Sequence, residues 1–240
     1  MRRLAVFMAM GIACHAAAAP KVDDDGLPDP GEHKVEAQLD KSLRSARAAP
    51  EAARPLNVVA EYAYGLRERW QIAFKAMLAF QGGRSRGDAL AAEVRYVAPH
   101  DEEKGGYWGV NLGLQYQTPR DEDRKWEAEL VPVLGYRLGR WHAIANLGLS
   151  HALNGEGRKL MFAMATKLAY QVNDRHAAGL EYFHDAGPLS NWNPREERSE
   201  YLFLAWDGAL KKADFNFGIG RGLTDASNRW VLKLIFAFPL

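Results

Sequence analysis

Cysteine is all but missing from this chain: one of 240 residues, Cys14, carries a thiol. Cys14 lies in a stretch expected to be removed, so no disulfide contributes to the stability of what remains. Long apolar runs are also missing. Beyond the N-terminus no stretch of about 18 apolar residues occurs, which excludes a helical membrane span. Charge of one sign is not in excess, with 31 basic and 30 acidic residues; loss of Arg2 and Arg3 leaves the acids ahead by one. Without a basic cluster there is no electrostatic case for nucleic acid, nor a field that would draw ionic partners from a distance. The seven histidines show no ligand spacing such as H-x-x-x-H, and no metal or cofactor is expected. Asp23-Asp24-Asp25-Gly26 with Asp29 has the look of a calcium loop but lacks its bidentate Glu, and reads as a solvated acidic tail.

The N-terminus has the build of a secretory signal. Arg2 and Arg3 supply the basic end, Leu4 to Cys14 the apolar stretch and Ala16 to Ala19 the small-residue cleavage zone. Pro20 is a poor first residue, so cleavage is expected after Ala18. A lipid anchor on Cys14 is not favoured, because Gly11-Ile12-Ala13 lacks the Leu usual before a lipidated cysteine. The division is thus a signal peptide over 1–18, a polar Pro- and Asp-rich mobile leader over 19–30, and one folded unit over 31–240.

What is present in abundance is alternation. A composition of 48% hydrophobic and 25% charged residues, with a mean hydropathy of −0.34, would suit a soluble domain. It equally suits a sheet that puts one face to lipid and the other to a polar interior. Trp70, Ile72, Phe74, Ala76, Leu78 and Phe80 alternate with Gln71 and Lys75; Trp230, Leu232, Leu234, Phe236 and Phe238 alternate around Lys233. Twelve such period-two segments follow one another, many about 9–12 residues long, the length a tilted strand needs to cross a bilayer. The expected fold is all-β, a twelve-stranded antiparallel transmembrane β-barrel, an even number as bacterial single-chain barrels have. A secreted β-sandwich also alternates, but its strands run to five or six residues and its apolar face is core.

A Tyr-turn-Arg-Trp unit recurs between these segments. Tyr64 to Trp70 reads YGLRERW, Tyr136 to Trp141 reads YRLGRW, Tyr170 to His176 reads YQVNDRH, and a looser copy joins Tyr96 to Trp108. All copies fall on alternate connections, over 65–69, 97–106, 138–140 and 173–175, with a further turn over 208–212. The other connections, over 44–56, 81–87, 118–124, 152–158, 185–198 and 220–229, are mostly longer and rich in Gly, Pro and charge. Short turns at one end and long loops at the other are the mark of an outer-membrane barrel with a periplasmic turn end. Tyr64, Trp70, Tyr96, Trp108, Tyr136, Trp141, Tyr170 and Trp230 are expected at the membrane–water interfaces.

The segments YGLRERWQIAFKAMLAF and GIGRGLTDASNRWVLKLIFAFPL resemble hairpins of Gram-negative outer-membrane β-barrels, in particular the transporter-like group assigned to phenol meta-pathway degradation and related barrels. The resemblance covers about residues 31–240 and implies architecture, not a reaction. It implies an outer-membrane location with both termini in the periplasm, a lipid bilayer as surroundings, and insertion by the assembly machinery that reads the last strand. The chain departs from the usual pattern by ending on Leu240 where Phe is common.

The polar face supplies the candidate site. Lys75, Glu93, Arg95, Glu127, Glu129, Lys167, Glu181, Asp207, Asp214 and Lys233, with Glu36, are expected inside the lumen, where they would select a small solute in passive transport. The alternative is a closed structural or interaction barrel whose charges pair among themselves. His151-Ala152-Leu153-Asn154-Gly155 resembles the H-x-S-N-G motif of outer-membrane phospholipase A. Leu153 stands at the serine position, however, and without a hydroxyl no acyl-enzyme forms. The expectation is therefore a non-enzyme.

Overall fold

The first and last strands decide whether such a sheet closes, and here they pair. The computed structural model describes residues 21–49, 54–81, 84–118, 125–155 and 158–240. The signal peptide and its cleavage site lie outside them. The strands are β1 (His33–Ala46), β2 (Leu56–Arg67), β3 (Trp70–Gln81), β4 (Arg84–Val97), β5 (Gly105–Gln117), β6 (Lys125–Leu138), β7 (Trp141–Ala152), β8 (Leu160–Asn173), β9 (His176–Pro188), β10 (Ser199–Leu210), β11 (Ala213–Gly222) and β12 (Asn228–Pro239). Each pairs antiparallel with its chain neighbours, and β1 pairs with β12, giving a closed twelve-stranded barrel. The closing register matches Val35 with Phe238, Ala37 with Phe236 and Leu39 with Leu234, so the apolar stripes of both strands face outward together. A slip of one residue would turn every one of them inward, which is why the alternation specifies the closure.

The outward face is that of a membrane protein. Leu90, Leu112 and Leu204 are 63%, 54% and 62% exposed, as are many more along all strands. A soluble sandwich would bury these residues, whereas in lipid they are the favourable surface. No helix among the described residues is long and apolar enough to cross a membrane.

Strands run longer than the apolar belt. β4 was expected to begin near Leu90 but starts at Arg84, so the connection over 81–87 contracts to 82–83. Backbone pairing continues past the bilayer edge because it needs only N–H and C=O groups, not apolar side chains. An irregularity at Met77/Leu78 opposite Gly87 and Ala89 absorbs the register change. In β6, Pro132 has no N–H to donate, and the pairing with β7 skips Val131 and Pro132.

The interface aromatics meet across strands. Trp70 packs on Tyr96 at 4.8 Å between ring centroids, Tyr96 on Trp108 at 5.8 Å and Trp141 on Tyr170 at 5.0 Å, all at the turn end. Tyr136 is 55% exposed beside them, and His33 lies on Tyr64 at 5.0 Å. At the loop end Tyr116 meets Trp126 at 4.9 Å, and the Arg221 guanidinium lies over Trp230 at 5.3 Å. In the first turn Arg69 takes a left-handed φ of 67° while Arg67 stacks on Trp70 at 5.0 Å. The two arginines of this Tyr-turn-Arg-Trp unit thus divide the work, Arg69 forming the turn and Arg67 covering its aromatic ring.

Candidate functional site: a charged lumen and its occupant

Inward-facing side chains form two ionic networks on the walls that flank the β1–β12 seam. On β1–β4, Lys75 Nζ reaches Glu93 Oε2 at 2.9 Å and Glu61 Oε2 at 3.6 Å. Gln38 donates to Glu36 at 2.8 Å, and Asn57 to Asp40 at 3.1 Å. On β8–β12, Lys167 Nζ reaches Asp207 at 2.7 Å and Glu181 at 3.3 Å, while Asn216 donates to both acids at 3.0 Å (Glu181) and 2.8 Å (Asp207). Lys233, 1% exposed, pairs with Glu181, its ammonium 5.2 Å from the Phe183 ring and 5.4 Å from the Phe203 ring. Buried charges are stable only when paired in this way.

Of the ten expected lumen residues, nine point into the interior: seven join these walls or the segment within them, and Glu127 and Glu129 lie on β6 between the walls. Glu127 accepts from Gln117 at 3.1 Å, and Glu129 lies over Gly113 and Gly148. A cavity of about 40 Å³, room for a few waters, is lined by Lys75, Glu93, Gln115, Glu127 and Glu129. Asp214 is the exception. It has the inward parity but sits two residues past the 211–212 turn, exposed at the mouth.

The largest departure from the sequence expectation lies at the N-terminus. Residues 21–30, read as a mobile leader with a solvated acidic tail, instead run into the lumen from the turn end. The path is pinned at its root, where Gly31 N donates to Gly65 O at 2.8 Å. Asp25 crosses to β6, where Arg137 holds its carboxylate with both terminal nitrogens at 2.6 and 2.7 Å; His100 Nε2 is 2.8 Å away. Asp23 lies between β4, β5 and β7. Asn111 donates to its carboxylate at 3.0 Å and Arg95 stands at 3.5 Å. The Asn146 amide pairs with the Asp23 backbone in both directions, accepting from its N–H at 2.7 Å and donating to its C=O at 2.8 Å. Arg95 also donates to the Asp24 carbonyl. Lys21 returns to the first wall, reaching Glu36 at 2.7 Å and Glu61 at 3.9 Å.

The physical reason is complementarity. Arg95 on β4 and Arg137 on β6, and Glu36 with Glu61 on β1 and β2, have too few partners on the walls, and the segment brings two carboxylates, Asp23 and Asp25, and one lysine to them. Burial pushes the Asp23 carboxyl up, but Arg95 and Lys21 outweigh it and hold it well below the usual carboxylate range. Asp25 is likewise raised by burial and lowered by more through its Arg137 and His100 contacts. Lys21 is lifted above its ordinary value by Glu61 and Glu36 despite burial. A carboxyl lowered on docking contributes docking free energy that is fully present above the ordinary value of about 3.9 and is lost as pH falls through the lowered one. The docked contacts of residues 21–30 should therefore be as complete at pH 5 as at pH 7, with release only well below pH 4. Faster amide hydrogen exchange in this segment at pH 5 than at pH 7, after correction for the intrinsic rate, would contradict this.

Several lumen residues carry no sequence signal that separates them from girdle or turn residues. Tyr107 stands beside Trp108 in a Tyr/Trp turn unit yet points inward. It is 5% exposed, and its hydroxyl lies 2.9 Å from His142 Nε2. It lies flat against Gly135, where any Cβ would collide with the ring. Phe203 is likewise buried over Gly220. The available signal was an aromatic of inward parity opposite a glycine on the next strand. Glu61 and Arg137 were legible by parity alone.

No family model matches this chain, and no curated protein matches it. Solved structures do. An outer membrane channel from Pseudomonas putida F1 superposes with a TM-score of 0.63 at 13% identity, covering 92% of this chain and all of that one. The chain has the outer-membrane β-barrel fold. The NanC porin follows that fold with a TM-score of 0.55 at 8% identity, over 87% of this barrel and 100% of the porin. The KdgM porin, solved in complex with disordered oligogalacturonate, aligns with a TM-score of 0.56 at 5% identity, over 85% of this barrel and 98% of the porin. His151, on the outward face of this barrel between Ala128 and Leu160, is next to Leu153, whose N–H donates to Trp126 O at 2.7 Å. The side chain at the position of the phospholipase serine is thus a half-exposed leucine.

Proposed function

We propose that this protein lies in the outer membrane of a Gram-negative bacterium and passes a small polar solute through its lumen, which its own N-terminal segment closes at rest. The carrying observation is that the plug is not part of the wall. Lys21, Asp23 and Asp25 contribute charges to the interior from a segment outside the sheet, so its withdrawal would leave a charged passage and an intact barrel. Channels and porins among the proteins of similar fold support transport as a class. The turn end, with both termini, faces the periplasm in this reading, and the assembly machinery would read β12 with Phe236 and Phe238 in phase. The alternative, a closed structural barrel, draws on the Glu181–Lys233 wall, which is filled by its own side chains.

Planar bilayers and solute uptake by liposomes test the proposal. The intact chain is expected to show rare openings, and a chain with residues 21–29 replaced by Gly and Ser sustained ones. Absence of conductance in both would sink the transport reading in favour of the closed barrel. Orientation is testable on whole cells with a membrane-impermeant maleimide, since the chain has no cysteine beyond Cys14. Ser190→Cys should label and Lys211→Cys should not; the reverse would invert the topology.

A further inference from the structure

We infer that Arg137, His100 and Tyr107 form a carboxylate-binding subsite for the transported solute, occupied in the closed state by the chain's own Asp25. The inference rests on the transport reading and adds the chemical class of the cargo, a small organic carboxylate.

The contacts are those of a built receptor. Arg137 meets both Asp25 oxygens, at 2.6 and 2.7 Å, in the parallel two-bond geometry that a planar guanidinium offers to a carboxylate. Its orientation is set independently of Asp25, because the guanidinium lies over the Tyr107 ring at 5.1 Å. Tyr107 is in turn fixed by His142 Nε2 at 2.9 Å and by its seat on Gly135. His100 is aimed by its other ring nitrogen, which lies 2.8 Å from the Ala98 carbonyl, and its ring packs on Tyr107 at 5.1 Å. Every cationic or aromatic member belongs to β5, β6 or the 98–104 connection, and only the carboxylate belongs to the plug. Withdrawal of the plug therefore leaves a preorganised site, the condition under which a free ligand loses least on binding.

A second anion position lies next to it. Arg95 is buried and stands 3.5 Å from Asp23, its Nε has no hydrogen-bond partner among the described residues, and the Asn111 amide nitrogen donates to the same carboxylate at 3.0 Å. Asp23 and Asp25 are two residues apart, so their backbones are separated by at most about 7 Å. A linear dicarboxylate of a few carbons spans a similar distance. The plug thus offers one carboxylate to Arg137 and another to Arg95 and Asn111, and a dicarboxylate in the lumen would compete for the same cations.

The test uses the full chain carrying Asp25→Ala, which vacates the subsite. Glutarate labelled with carbon-13 at both carboxyls is titrated in detergent at constant ionic strength, with uncharged glutaramide as the control. Glutarate should bind Asp25→Ala at least about tenfold more tightly than the intact chain. The gain should vanish in Asp25→Ala/Arg137→Gln, and glutaramide should bind neither. Asp25→Ala/Arg137→Lys keeps the charge and removes the fork, so binding should fall there too. The folded, heat-modifiable band on gels shows that each variant is a barrel. Equal glutarate affinity in the intact and Asp25→Ala chains would overturn the subsite, as would retention of binding in either Arg137 variant. Bilayer recordings on the same proteins keep the two readings apart. Binding without conductance in any variant defeats transport and spares the subsite, while conductance without binding defeats the subsite alone.

Discussion

Replacing residues 21–29 with Gly and Ser should raise the mean bilayer conductance by roughly tenfold or more, through a higher open probability. The size follows from the docking contacts. A hydrogen bond to a charged group contributes about 1.5–3 kcal/mol net, and each 1.4 kcal/mol shifts a two-state equilibrium by about tenfold. The plug makes three such sets: Lys21 with Glu36 and Glu61, Asp23 with Asn111, Asn146 and Arg95, and Asp25 with Arg137 and His100. One set alone would hold the docked state in about tenfold excess, and three make openings rare. The replacement keeps the length of the segment but makes it more flexible, so a larger loss of entropy on threading adds to the lost contacts in the same direction. Arg137→Gln in the intact chain removes one set and should give an intermediate open probability. Equal conductance in the intact and replaced chains would mean that the segment does not obstruct the lumen.

The barrel itself was legible because one rule, alternation with period two, acts on every strand, and lipid and lumen punish its violation on opposite faces. The parity of Lys75, Glu93, Lys167, Glu181 and Lys233 followed directly from it, and their ion pairs follow from their being inside. The Tyr-turn-Arg-Trp units located the turn end because aromatic rings and short turns both belong at an interface. What alternation cannot report is anything outside the sheet. Lys21, Asp23 and Asp25 sit in a Pro- and Asp-rich stretch with no period, and such a composition reads as solvated. Their docking depends on partners that the chain supplies 15 to 123 residues away, from Glu36 to Asn146. The clue was an imbalance: Arg137 on β6 has no acidic residue at inward positions of β5 or β7, and Glu36 and Glu61 face the single inward lysine, Lys75, of the next strand. Tyr107 and Phe203 were missed for a different reason. An aromatic residue is at home both in a girdle and over an inward glycine, and only the register with Gly135 and Gly220 separates the two.

The second large effect concerns the other wall, where Glu181→Ala should cost about 3–5 kcal/mol of unfolding free energy and Lys233→Met distinctly less. Both residues are about 1% exposed, so neither charge can recover hydration if its partner is removed. Their alternatives are unequal. Glu181 also meets Lys167 at 3.3 Å and Asn216 at 3.0 Å, so it keeps a counter-charge and a donor when Lys233 is gone. Lys233 has no other acidic partner among the described ion pairs; loss of Glu181 leaves its ammonium held by the faces of Phe183 and Phe203 alone. A cation over aromatic rings recovers only a small part of the cost of burial. Methionine at 233 fills the same slot, and its thioether suits contact with both rings. The pair Glu181→Leu/Lys233→Met should therefore recover most of the loss, since an apolar pair of similar volume often matches a buried ion pair. Lys167 and Asn216 lose Glu181 where it is replaced but keep Asp207, at 2.7 and 2.8 Å, in every variant, so the largest share of the loss falls on Lys233. Reversible urea unfolding in lipid vesicles measures all three. Equal losses for the two single variants, or a double variant no more stable than Glu181→Ala, would show that this wall is hydrated and that the lumen is open there even with the plug in place.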